Sequence, residues 1–276
     1  MEGPFREALR TIAAKPVLLV TGGVLGIMFS SGLVIQLYLG SFLAERLVFL
    51  GALALPFVIG GAYGVARAED RSLRGFFQEG VKNYFRILLP LIVLIFAAFL
   101  TLILLSIPLG LLGIGNDGNS ILSMLLGIGV PFLFLTYFTD VVAVVEETGV
   151  FESIRRGIEF VYGRFFKVLL FYITTLCIAV PAVTIIGLVT EIVLFSRRPD
   201  LMEAFASGNV TAVQPSEIIT ALGPEGVWAY AITTIIVLIP AGTLLVVYKY
   251  CFFRNSAPGK PATVGEMDEK GRWYRY

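Results

Sequence analysis

Apolar residues fall into six long blocks separated by short polar breaks. A hydrocarbon core of about 30 Å needs roughly 20 apolar residues in a helix. The blocks therefore predict spans over residues 17–39, 42–67, 85–112, 120–145, 165–195 and 227–253. Gly40-Ser41 and the Gly/Asn-rich stretch 113–119 read as turns. Pro16 stands where the first turn of a helix tolerates a missing N–H. Span 1 carries Gly22, Gly23, Gly26, Ser30, Ser31 and Gly32, small residues that let helices approach closely in lipid. Residues 196–226 form a long loop, with short helices expected over 199–206 and 215–222, each opened by Pro.

A second pattern is basic and amphipathic, and it occurs twice. SLRGFFQEGVKNYFRILL (72–89) aligns without gaps with SIRRGIEFVYGRFFKVLL (153–170), and each runs into an aliphatic block. A looser copy, FREALRTIAAKPVLL, opens the chain. Together they predict an all-α integral membrane protein of three parallel hairpin repeats, about 5–67, 72–145 and 150–253. An amphipathic interfacial helix is expected before spans 1, 3 and 5. The even spans repeat as well, with Pro56, Pro131 and Pro240 in corresponding places. The tail, 255–276, is polar and reads as disordered up to its last residues.

Composition agrees with this class. Apolar residues make up 57% of the 276 and charged ones 15%, with a net charge of +1. All of the 21 Lys and Arg residues except Arg46, Arg197 and Arg198 fall on one side of the predicted topology. The positive-inside rule then puts both termini in the cytoplasm and the protein in the plasma membrane. The sequon at Asn209 falls in the external loop, as that orientation requires. There is no histidine, and the two cysteines, Cys177 and Cys251, lie inside apolar blocks. The commonest general base and a disulfide framework are thus both excluded.

Two sets of residues are candidates for a function. Asp140 lies within span 4, where an unpaired carboxylate is costly. It stands nine residues after Pro131, as Lys249 stands nine after Pro240. Equal spacing predicts that they pair, or share a polar pocket with Tyr137 and Tyr248. Such a pair either pins the helix register or serves a polar substrate or ion. The second set is Arg74, Lys82, Arg86, Arg155, Arg156, Arg164 and Lys167, flanked by Phe and Tyr, with Arg71 beside them. These are either ordinary interfacial anchors or a specific site for anionic lipid headgroups. Glu191 and Glu45-Arg46 read as interfacial charges, Glu191 reaching water, Arg197 or Arg198. No nucleophile with a base, calcium loop, phosphate-cradling loop or cofactor motif stands in the chain.

The segment TYFTDVVAVVEETGVFESIRRGIEFVYGRFFKVLLFYI, 136–173, resembles a group of multi-pass proteins. These are the membrane domain fused to some bacterial glycerophosphodiester phosphodiesterases, and related stand-alone proteins of archaea. The segment GAYGVARAEDRSLRGFFQEGVKNYFRILLP, 61–90, is similar to the archaeal members. The resemblance implies a six-span membrane protein; with no phosphodiesterase barrel in these residues it carries no hydrolase activity. Two functions then compete: a non-enzymatic module binding anionic lipids or a protein partner, a second copy included, and a small-solute or lipid transporter with a polar site at Asp140 and Lys249. An intramembrane enzyme ranks third, and nucleic acid is not an expected partner.

Overall fold

The structure, a computed structural model, describes residues 3–68, 72–111, 118–197, 215–257, 265–267 and 273–275. Among these, six helices are long and apolar enough to cross a membrane: Pro16–Leu39, Ser41–Arg67, Leu73–Ile107, Leu126–Val145, Phe165–Arg197 and Thr220–Ser256. In chain order the helices are α1 (Pro4–Ala14), α2 (Leu19–Leu39, led in by a 3-10 turn at Pro16–Leu18), α3 (Ser41–Arg67) and α4 (Leu73–Leu111). They continue with α5 (Gly118–Thr136), α6 (Thr139–Val145), α7 (Val150–Gly163), α8 (Phe165–Arg197) and α9 (Pro215–Ser256). Spans 1 to 6 are α2, α3, α4, α5 with α6, α8 and α9.

Three features differ from the sequence reading. No separate interfacial helix precedes span 3, because Leu73–Leu111 is one helix of 39 residues. The chain breaks at Lys15-Pro16 before α2 and at Gly163-Arg164 before α8. The residue aligned with Gly163 is Lys82, which propagates a helix well. At about 1.5 Å per residue, α4 is roughly 58 Å long, far beyond the hydrocarbon core. Its first turns therefore stand clear of the apolar zone, with Ser72 Oγ accepting a hydrogen bond from Gly75 N at 3.0 Å. Span 4 is broken where a continuous helix was expected: α5 stops at Thr136 and α6 starts at Thr139. Tyr172 Oη donates to the Phe134 carbonyl freed near that break, at 3.1 Å. In the tail, read as disordered, Gly265–Met267 pairs antiparallel with Trp273–Arg275. Of the interfacial charges, Glu191 is exposed, Arg197 pairs with Glu225, and Arg46 lies 3.8 Å above the Phe42 ring. The expected helix at 199–206, the sequon, residues 113–117 of the turn expected over 113–119, Arg71 and Arg198 lie outside the described residues, and α5 already begins at Gly118.

Close backbone contact joins spans 1 and 6. A Cβ on Gly22 would stand 2.2 Å from the Ile239 carbonyl oxygen, and one on Gly26 2.8 Å from Ile235 Cα. Only glycine permits this approach, which in lipid is the main source of helix attraction. Gly22 N also donates to Thr243 Oγ1 at 3.1 Å. Further contacts join α3 to α4 and α8 to α9, while α6 packs on α4 and α7. Buried side chains concentrate at the end that carries most Lys and Arg. There Tyr63, Phe138, Phe160, Phe171, Tyr248, Phe252 and Phe253 share one cluster. Phe138 and Phe171 ring centroids are 5.1 Å apart, and those of Phe160 and Phe253 are 4.8 Å apart.

Candidate functional site

The break in span 4 shapes the polar centre of the bundle. Restarting the helix at Thr139 puts Asp140 in its first turn, where Oδ1 accepts the Val141 N–H at 2.7 Å. Lys249 Nζ from α9 lies 2.7 Å from Oδ1 and 2.8 Å from Oδ2. Tyr63 from α3 donates its hydroxyl to Oδ2 at 3.1 Å. The same ammonium sits 3.8 Å from the centroid of the Tyr137 ring, a cation–π contact. Each of the three even spans thus supplies one polar group: Tyr63, Asp140 and Lys249. The side chains are 8% exposed at Lys249 and 19% at Asp140, so the pair is largely withdrawn from water. A buried pair of this kind gains little net stability, but removing one partner strands the other charge.

The structure brings Asp140, Lys249 and Tyr137 together and leaves Tyr248 out. Successive helical residues diverge by about 100°, so Tyr248 turns away from Lys249. Its ring stacks on Phe171 at 5.0 Å and meets the Phe5 edge at 5.8 Å. Tyr63 escaped the sequence reading because it stands seven residues after Pro56, and nine after that proline comes apolar Val65.

The seven basic candidates do not converge on one site, and the carboxylates around them sort them into two groups. On α4, Lys82 lies 3.6 Å from Glu79, and Arg86 lies 3.7 Å from Glu147. Glu147 also accepts from Arg67 at 3.0 Å while holding a left-handed backbone, φ 56°. The Arg67 hydrogen bond, with Arg86 close by, holds the Glu147 carboxyl below its usual range. On α7, Arg155 lies 3.5 Å from Glu152 and 3.3 Å from Glu159. Arg156 makes 2.7 Å contacts with both Glu146 and Glu152. Its hydrogen bond lowers the Glu152 pKa, and the two acids together raise that of Arg156.

Arg74, Arg164 and Lys167 have no carboxylate partner among the described residues. Arg164, at the break before α8, leans over the Phe160 ring at 5.3 Å, and Lys167 follows in the first turn of α8. Around this elbow Phe151, Tyr162 and Phe166 are 77%, 68% and 82% exposed. Between α7 and the end of α9 lies a pocket of about 240 Å³, lined by Glu146, Arg155, Arg156, Glu159, Phe160, Arg164, Phe253 and Ala257.

Other contacts at this end were not foreseen from the sequence. Lys15 Nζ donates to the carbonyls of Val65 at 2.8 Å and Ala66 at 3.2 Å, and to that of Ala68. It thereby caps the C-terminus of α3, whose last carbonyls lack helical partners. Glu7 accepts from Arg254 and Asn255, tying α1 to the end of α9. Nothing in the spacing of Lys15 or Glu7 signals partners so distant in the chain.

Long apolar helices joined by close glycine contacts, with charge gathered at one end, define a multi-pass helical membrane protein. The chain belongs to the family described as "Domain of unknown function (DUF7847)", whose model matches residues 3–255. Neither the curated proteins nor the solved structures include a match.

Proposed function

We propose that this protein is a non-enzymatic membrane module that holds anionic lipid headgroups at its basic end. In this reading both termini and α7 face the cytoplasm, and the module sits in the plasma membrane. The observation that carries it is the α7–α8 elbow. Most basic side chains nearby are matched to carboxylates, but Arg164 and Lys167 meet none among the described residues, and they stand beside exposed aromatic rings. Cations without internal partners, at the depth where Phe and Tyr meet the interface, attract anionic lipid at about 1 kcal/mol per basic residue. The likeness in sequence between 72–89 and 153–170 supports the same reading, since related basic stretches would then meet one membrane face. The resemblance to phosphodiesterase membrane domains adds no catalytic residue to it.

Transport through Asp140 and Lys249 fits less well. Their charges are spent on each other, on Tyr63 and on a backbone N–H, inside an aromatic cluster. The pair acts in this account as a register pin. The test is lipid selectivity by electron spin resonance, with spin-labelled phosphatidylglycerol and phosphatidylcholine in vesicles holding the full chain. Wild type is expected to restrict phosphatidylglycerol preferentially, and the Arg74/Arg164/Lys167→Gln variant to lose that preference. Equal restriction of both lipids by wild type would refute the reading.

A further inference from the structure

Resting on that reading, we propose that the pocket between α7 and the end of α9 is a phosphate-ester site. Its ligand enters by displacing the Glu159 and Glu146 carboxylates from Arg155 and Arg156. The pocket presents three guanidinium groups around one volume, and Phe160 and Phe253 form its apolar floor. Arginine's planar fork matches a phosphate in paired hydrogen bonds, which a lysine cannot do.

Each arginine is already positioned. Arg155 and Arg156 are held from behind by Glu152, at 3.5 Å and 2.7 Å, while Arg164 is laid over the Phe160 ring. Glu152 does not line the pocket; Glu159 and Glu146 do. Those two are therefore the carboxylates that an incoming phosphate replaces. With Glu152, three carboxylates balance the three guanidinium groups, and Arg164, which meets no carboxylate among the described residues, is the group that first engages the anion. At about 30 Å³ per water in the liquid, the pocket has room for roughly eight waters, enough for a phosphate with a small alcohol attached.

The shared chemistry is a phosphate mono- or diester, and two sources offer it: a lipid headgroup or a soluble phosphate ester. Calorimetric titration of the purified full chain in neutral detergent separates them, with short-chain phosphatidic acid and glycerol 3-phosphate as probes. Binding is expected to weaken about tenfold or more in Arg164→Gln and in Arg155→Gln, each losing a charge-assisted hydrogen bond. Glu159→Gln, an isosteric change on an exposed helix face, is expected to tighten binding about threefold by removing the competing charge. Lys82→Gln, paired with Glu79 on α4 and outside the pocket, serves as the control.

Both probes responding in this way means a site open to either source. Response to phosphatidic acid alone assigns it to lipid headgroups. Binding that falls in both Lys167→Gln and Arg164→Gln but ignores Arg155 and Glu159 overturns the pocket while leaving lipid attraction at the elbow intact. Absence of binding by either probe overturns the pocket as well, and the lipid-selectivity experiment then decides separately whether the broader reading stands.

Discussion

Replacing Lys249 by Met keeps the length and volume of the side chain and removes its charge. The Asp140 carboxylate then keeps the Tyr63 hydroxyl and the Val141 N–H but loses the ammonium 2.7 Å away. Stranding one partner of a buried pair costs about 3–5 kcal/mol, roughly a hundredfold to a few thousandfold in the folding equilibrium. Asp140→Asn retains an acceptor and donors in the same space, and is expected to cost less than Lys249→Met. The double variant, with no charge left to bury, is expected to recover most of the loss. The assay is equilibrium unfolding in mixed micelles with increasing SDS, followed by circular dichroism, for wild type, both single variants and the double. A strongly favourable coupling energy is the expected result. Single costs below about 1 kcal/mol that simply add would show an exposed pair with no pinning role, and would refute the reasoning.

Further outcomes follow from the same geometry. Tyr63→Phe loses a hydrogen bond to a charged group, and in the same unfolding assay should cost about 1.5–3 kcal/mol, whereas Tyr248→Phe retains its ring stacking and should cost less. Gly22→Ala forces a methyl to 2.2 Å from a backbone oxygen, so spans 1 and 6 must separate, at a cost of about 1–3 kcal/mol. Because the Glu147 carboxyl is held low in the folded state, its contribution is present above the ordinary carboxylate range and is lost as pH falls through the lowered value. Melting temperature should therefore drop on acidification, and Glu147→Gln should flatten part of that drop.

What could be read in advance follows the physics of the signal. Lipid demands long apolar helices, so all six spans stand out as blocks; the ends of spans 1, 2 and 5 fall close to the observed ones, whereas the helices of spans 3 and 6 begin well before the expected starts. The meeting of Asp140 and Lys249 follows from equal spacing after Pro131 and Pro240, because equal spacing gives equal depth. Tyr248 was misplaced because depth alone says nothing about direction around a helix. The continuous α4 was obscured by its likeness to 153–170; the difference lies in one residue, Lys82 against Gly163. Tyr63 and Lys15 carry no local signal, since each acts on a partner brought near only by packing. The split between matched and unmatched arginines is likewise invisible in a list of basic residues. Glu146 and Glu147 look like a helix end in the sequence, yet they partner Arg156, Arg67 and Arg86 in space.

In the proposed function the basic end holds anionic lipid through cations that meet no carboxylate among the described residues. Native mass spectrometry of the gently purified full chain tests it most directly, with wild type run beside Arg164/Lys167→Gln of equal yield and helicity. A stoichiometric anionic phospholipid on wild type, lost from the variant, is the expected result. Wild type that flies without bound lipid, or a variant that retains as much as wild type, would contradict it.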